Sequence, residues 1–166
     1  LEAARLLQPH PDILCLIVGD GAGKADLVTQ AEQAELANVR LLPFQPRAML
    51  PDMYATADVC LVPLKHGIAE NSVPSKVYTI MAAARPLIAS VDEGSDVWQF
   101  VQETACGLVV PPEDPTALAD AILALYHNRS LGREMGLKAR DRVERDYTPR
   151  IVADKYMELF RQLCRC

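Results

Sequence analysis

A chain of 166 residues is the size of one ordinary domain, long enough to bury a core of its own. Hydrophobic residues make up 50% and charged residues 23%, which excludes disordered, collagen-like and coiled-coil classes. With 17 Lys and Arg against 22 Asp and Glu the formal charge is −5, so no nucleic-acid partner or anionic-lipid surface is expected, although a local basic pocket is compatible with it.

The opening LEAARLLQPHPD has no initiator methionine and no basic, apolar, small-residue leader pattern, and the chain is expected to be a piece of something longer. The longest apolar runs, Ile13 to Val18 and Val59 to Leu64, are far short of a bilayer span. Five cysteines is an odd count, with Cys15 and Cys60 inside apolar runs where a thiol acts as a small hydrophobe; this points to a reducing, cytoplasmic setting. Cys164 and Cys166 lack the companions of a metal site, and no metal is expected there.

In chain order, strands are predicted at Ile13 to Val18, Val39 to Leu42, Val59 to Val62, Pro86 to Ala89 and Leu108 to Val110. Helices are predicted between them near Lys24 to Leu36, Arg47 to Thr56, Val73 to Ala84 and Gly94 to Gln102. Short apolar strands alternating with helices define an α/β fold with a parallel sheet covered on both faces. After Val110, PPEDP is turn punctuation, and Asp114 before Pro115 fits a helix cap. Leu118, Ile122 and Leu125 then mark one helix, Met135 and Val143 a second, and Ile151, Lys155, Tyr156, Leu159 and Leu163 a third, all expected to flank the sheet.

Two segments invite a ligand. VGDGAGK places Gly19, Gly21 and Gly23 after the first strand, where open α/β sheets bind ligands, yet Val18 and Ala25 break the P-loop pattern and Lys24 stands where a dinucleotide fingerprint needs glycine. The segment HGIAENSVPSKVYTIMAAARPLIAS is richer. Ser72 fits an N-cap and Pro74 a first turn, so backbone amides there form an anion site, supplemented by Ser75 and Lys76. Glu70, Asn71 and Thr79 supply acceptors suited to sugar hydroxyls, and the spacing suits a phosphorylated sugar. The competing reading is an ordinary capped helix with a solvated lysine. His10, His66 and His127 are scattered without a nucleophile elbow, which leaves hydrolase chemistry unsupported; His66 shares the loop of Glu70 and Asn71. Trp98 and Phe100 are expected to pack over the sheet.

Taken together, DILCLIVGDG, NVRLLPFQP, YATADVCLVPL, MAAARPLIAS and ETACGLVVPPEDPTALADAILAL resemble the carboxyl-terminal domain of family 4 retaining glycosyltransferases of the GT-B fold, almost end to end. The resemblance implies residues 1–166 as a Rossmann-like nucleotide-sugar-binding domain, with 114–166 its carboxyl-terminal helices and an amino-terminal acceptor domain and the start of this domain outside the chain. It implies a UDP-sugar or GDP-sugar donor whose diphosphate and sugar meet Gly19, Gly21, Glu70, Asn71, Ser72, Val73, Ser75 and Lys76. The nucleoside would meet Pro43, Phe44, Gln45 and Thr79. The family's usual glutamate pair, eight residues apart, falls on Asn71 and Thr79; Glu70 stands one residue early, and Thr79 bonds a ribose hydroxyl more weakly than a carboxylate.

SVPSK is similar to a branch acting in bacterial surface-polysaccharide assembly. The implied enzyme is of hexosyltransferase type, inactive as the isolated piece, with a glycan or lipid-linked acceptor and a location at the inner face of the membrane. Transfer would retain anomeric configuration, with charge growing on the diphosphate met by amides and Lys76, and with no cofactor, no metal and no protein nucleophile. A nucleotide-sugar epimerase of the same fold, or a non-enzymatic α/β binding module, are the alternatives; a response regulator would need more acids than Asp20.

Overall fold

The structure, a computed structural model, describes residues 1–67 and 73–164. Five short strands alternate with helices, as the apolar runs predict: β1 (Cys15–Val18), β2 (Val39–Leu42), β3 (Cys60–Pro63), β4 (Leu87–Ser90) and β5 (Gly107–Val110). The helices are α1 (Glu2–Leu6), α2 (Lys24–Gln33), α3 (Leu50–Thr56, led by a 3-10 turn at Arg47–Met49), α4 (Ser75–Ala82), α5 (Asp96–Thr104), α6 (Pro115–His127), α7 (Arg129–Asp146) and α8 (Pro149–Leu163). Every strand pairing is parallel.

One sheet was expected, and the described strands form two: β1 pairs with β2, and β3, β4 and β5 follow in that order. Apolar patterning marks which segments are strands but carries no record of which edges meet. Helix α6 joins the two sets instead. One flank of it packs Ala121 and Leu125 against Ile88 and Val110, and the other packs Ala119 against Ala3 and Leu7 of the amino terminus. Leu16, Ile17 and Leu61, on the strands β1 and β3, stay 38 to 45% exposed, unlike the fully covered β4.

The main core lies under β3 and β4, where Val62, Leu87, Ala89 and Val91 meet Val77, Ile80 and Met81 of α4 and Val97 and Val101 of α5. Phe100 is buried there and the half-buried Trp98 packs against the same cluster, as expected for a cover over the sheet. Tyr78, Phe100 and Tyr147 stack mutually at centroid distances of 5.1 to 5.5 Å, fastening α7 to the same core.

Helix starts are set by local chemistry. Asp114 accepts the Ala117 amide at 2.9 Å with Pro115 in the first turn, as the sequence implies, and Ser95, Asn128 and Thr148 cap α5, α7 and α8 in the same way. Helix α4 departs from expectation: it begins at Ser75, two residues later than predicted, with Pro74 outside it at ψ 136°. A proline also disfavours helical dihedrals at the preceding Val73. Strand β1 starts at Cys15 because the Ile13 amide is turned back onto the His10 carbonyl at 3.0 Å.

Two further differences concern the ends. Helix α1 gives no periodic signal in five residues, and it is held by tertiary contacts, including the buried Asn38 amide donating to the Ala4 carbonyl at 2.7 Å. Helix α8 does not flank the sheet: none of its residues is buried, and Tyr156, Met157, Leu159, Phe160 and Leu163 are exposed. Its apolar periodicity signals amphipathicity, which does not say what the apolar face covers. No helix among the described residues is long and apolar enough to cross a membrane.

Candidate functional site

The carboxyl ends of β1 and β2 build the first cluster. The strand leads into Gly19, whose φ of +150° suits glycine, and the Gly19 amide bonds the Leu42 carbonyl at 3.1 Å. Asp20 then bridges to the neighbouring loop: its Oδ1 meets Lys24 Nζ at 2.6 Å and its Oδ2 accepts the Phe44 amide at 2.8 Å. Lys24 Nζ also reaches the Leu42 carbonyl at 3.4 Å. The Lys24 contact, and next the Phe44 amide, hold the Asp20 carboxyl below the usual carboxylate range. The result is an open groove of about 260 Å³ lined by Gly19, Asp20, Gly21, Lys24, Leu27 and Leu42, among others.

Beside it lies the loop Pro43, Phe44 and Gln45, tied to the glycine turn by the Phe44 amide on Asp20. The Phe44 ring is 72% exposed, a cost in water that a stacked partner would relieve. Gln45 Nε2 folds back onto the Pro43 carbonyl at 2.9 Å, which holds the loop in a compact turn.

The second cluster follows β3. Helix α4 buries Val77, Ile80 and Met81 and turns Ser75, Lys76 and Thr79 outward, because these alternate around a period of 3.6. No described side chain caps this helix. The Val77 amide donates to the Pro74 carbonyl at 2.9 Å, and the start of the helix carries the positive end of the dipole with Ser75 and Lys76 exposed there. Thr79 Oγ1 lies 3.5 Å from the Ser75 carbonyl.

The stem of the loop between β3 and α4 is anchored on the end of β4. The Leu64 amide bonds the Ser90 carbonyl at 3.0 Å. Farther out, Asp92 Oδ2 accepts the Gly67 amide at 2.8 Å while Oδ1 lies 2.5 Å from His66 Nδ1. The Gly67 amide, ahead of His66, draws the Asp92 carboxyl below its ordinary value.

The structure therefore brings Gly19, Gly21, Pro43, Phe44 and Gln45 into one cluster and Ser75, Lys76 and Thr79 onto one exposed face, with Val73 half-buried behind that face. No hydrogen bond among the described residues links the two clusters. Glu70, Asn71 and Ser72 lie outside the described residues, so the expected Ser72 cap and the Glu70 substitution do not enter this geometry. Asp20, Lys24 and Asp92 are functional-looking residues that sequence reasoning left unassigned. For Asp20 the available signal was the acid-lysine spacing of four across a glycine turn; Asp92 has only its place after a strand end.

Comparison with known proteins shows the family. The family model described as "Glycosyl transferases group 1" matches residues 1–142. Over 149 residues, 88% of this chain, it is 32% identical to the probable glycosyltransferase WbjE of Pseudomonas aeruginosa, of which the match spans 36%. It is 32% identical over 147 residues, 86% of the chain, to the putative colanic acid biosynthesis glycosyl transferase WcaI of Escherichia coli, again 36% of that protein. Among solved structures it superposes on sucrose-phosphate synthase of Thermosynechococcus elongatus with a TM-score of 0.80 and 25% identity, covering 99% of this chain and 42% of the other. The Anabaena protein Alr3699/HepE, solved in complex with UDP-glucose, gives a TM-score of 0.77 at 17% identity over 96% of this chain and 44% of the other. The chain thus spans 36 to 44% of the length of these four proteins.

Proposed function

Because the chain belongs to the group 1 glycosyl transferases and has the Rossmann-like half of a GT-B fold, we propose that it is the donor-binding domain of an enzyme moving a hexose from a nucleoside diphosphate sugar to an acceptor hydroxyl. The observation that supports this is the exposed start of α4, where the positive helix end, Ser75 and Lys76 would receive the diphosphate, on a helix buried through Val77, Ile80 and Met81. The exposed Phe44 on the loop clamped by Asp20 supplies the seat for the base, and Thr79 an acceptor for a ribose hydroxyl.

In this reading the bond between the anomeric carbon and the diphosphate oxygen breaks as the acceptor oxygen bonds the same face, with retention. The acceptor proton passes to the departing phosphate. The growing negative charge is met by the amides, the helix dipole and Lys76, so no metal or cofactor is assigned. The acceptor, a glycan or a lipid-linked sugar of a surface polysaccharide, would be held outside this chain; the similarity to WcaI supports that class. Free thiols at Cys15, Cys60, Cys106 and Cys164 suit a reducing compartment and support a cytoplasmic placement.

Titration with UDP, GDP and their sugars by thermal shift and calorimetry tests the reading, since a ligand of the native state raises apparent stability. The expected result is stabilisation by one nucleoside diphosphate, lost in Lys76→Ala. Absence of any response in the intact protein at millimolar ligand overturns it.

A further inference from the structure

We propose that a strand from the stretch of the full-length protein immediately before Leu1 inserts between β1 and β3, parallel to both, and makes the two described sheets one. Among the described residues, β1 is paired on its β2 side alone and β3 on its β4 side alone. The Cys15 amide donates to the Asn38 carbonyl at 2.8 Å and the Gly19 amide to the Leu42 carbonyl at 3.1 Å, so alternation along a parallel strand turns the Leu16 and Val18 amides to the other edge. In β3 the Cys60 and Leu64 amides go to the Pro86 and Ser90 carbonyls, which turns the Leu61 amide to the far edge in the same way. Pro63, next on that edge, has no amide to offer, so pairing there rests on Leu61 and the carbonyls. Leu16, Ile17 and Leu61 stay exposed beside these two edges. Residues 13–18 and 59–64 carry no charge, as suits interior strands, whereas β2 has the exposed Arg40 that suits an outer edge.

Crossover geometry assigns the same gap. Helices α1 and α2 lie side by side, with Arg5, Gln30 and Gln33 lining one cleft and Gln8 Nε2 donating to the Glu35 carbonyl at 3.0 Å, and α1 packs on α6 through Ala3 and Ala119. These three helices cover the face that presents Ile88 and Val110, while α4 and α5 cover the opposite face, with Leu87 and Ala89. Right-handed crossovers move the chain one way across a parallel sheet when their helices lie on one face, and the other way when they lie on the opposite face. A strand that reaches β1 through α1 therefore moves in the same direction as β1 to β2, and enters on the edge of β1 opposite β2. The run β3, β4, β5 moves in reverse, with its free edge at β3. Helix α6 brings the two free edges together: Leu118 and Ile122 pack both in the cluster holding Val59, next to β3, and in that holding Ile13 and Cys15 at β1. A helix about 10 Å across spans two strand spacings of about 4.8 Å, which is room for one strand. A second copy does not fit there, because its own β1 and β3 each have one edge occupied and the gap engages both edges of the strand that enters. The relatives matched above extend well beyond the region this chain spans, so chain to supply the strand exists in proteins of this kind.

The experiment uses the intact full-length protein, deuterated and carrying protons on its amides, and reads hydrogen exchange together with cross-strand nuclear Overhauser contacts. The Leu16, Val18 and Leu61 amides are expected to exchange at least about 100-fold more slowly than in an unstructured chain. Cross-strand contacts from both β1 and β3 are expected to lead to one common run of residues before Leu1. A second sample mixing labelled and unlabelled protein is expected to show none of these contacts between molecules. Exchange of the three amides at unstructured rates overturns the proposal, because the edges are then bare. Direct contacts between β1 and β3, contacts to a run elsewhere in the protein, or contacts that cross between molecules overturn it as well. Nucleotide binding enters none of these readouts, so failure of the donor-site reading leaves this result untouched, and the reverse holds too.

Discussion

Asp20 Oδ2 accepts the backbone amide of Phe44 at 2.8 Å, joining two loops 24 residues apart in sequence. The bond gives the glycine turn after β1 and the loop after β2 a common geometry, so the exposed Phe44 ring is presented from a fixed backbone. Lys24, one helical turn beyond Asp20, closes the same carboxylate at 2.6 Å and reaches across to Leu42. A short polar network thus does at the strand ends what the ladder does within the strands.

Removing that clamp is expected to weaken nucleoside diphosphate binding. Asp20→Ala should raise Kd roughly 3- to 10-fold, the range of one or two lost hydrogen bonds. Asp20→Asn should recover most of the loss, because its amide oxygen still accepts the Phe44 N–H. The Asp20 carboxyl is held below its ordinary value, so its contribution is present above the usual carboxylate range and disappears only as pH falls through that lowered value. Calorimetric Kd values should therefore show no Asp20-dependent change between about pH 5 and 8.

Lys76 tests the proposed anion site directly. Lys76→Ala in the intact enzyme is expected to lower turnover about 10-fold or more, since a charge meeting the departing diphosphate matters most in the transition state. Lys138, paired with Glu134 at 2.6 Å on the exposed face of α7, is the control, and its alanine variant should leave rate and stability unchanged. Steady-state kinetics decide the matter, and equal rates for wild type and Lys76→Ala count against the role.

All five strands and most helices were legible because buried parallel strands need continuous apolar runs, and capping residues such as Asp114 announce helix starts. Val39–Leu42 is found as read, and the others shift by one or two residues where a turn or proline intervenes. Long-range partnerships were not legible. Nothing in the run CLIV tells whether β1 meets β3, and nothing near Asp92 in sequence announces Gly67, 25 residues earlier. The candidate site divides along the same line: Ser75, Lys76 and Thr79 lie within one helix read from its local sequence, whereas the contacts of Asp20 and Asp92 form only when distant loops are brought together.

Packing between α4 and α7 predicts a contrast between two glycines of one helix. A Cβ on Gly136 would lie 2.2 Å from the Ala84 carbonyl oxygen, a backbone atom in a turn that already has φ +54°. A Cβ on Gly132 would sit 3.5 Å from Pro86 Cγ, ordinary contact. Gly136→Ala is thus expected to cost about 1 to 3 kcal/mol and lower Tm by roughly 3 to 10 °C. Gly132→Ala should be neutral or stabilising by about 0.5 to 1 kcal/mol, through helix propensity. Thermal melts of the two variants check both signs.

The buried thiols predict how the fold responds to alkali. Burial pushes the Cys60 thiol up to about 11 against an opposing pull from Arg85, and burial raises Cys15 and Cys106 in the same direction. A folded-state value above the unfolded one means that the native state keeps a proton the unfolded chain gives up. The stability linked to Cys60 is therefore complete below the ordinary value of 9.0 and is lost progressively as pH rises toward about 11. Denaturant midpoints should be flat from about pH 7 to 8.5 and fall above that. At pH 8 a thiol reagent should modify the exposed Cys164 first and Cys60 far more slowly, because burial raises the Cys60 thiol and denies the reagent access. Equal labelling rates in the native protein would show that the β3 edge opens far more readily than the packing of Cys60 beneath α4 implies.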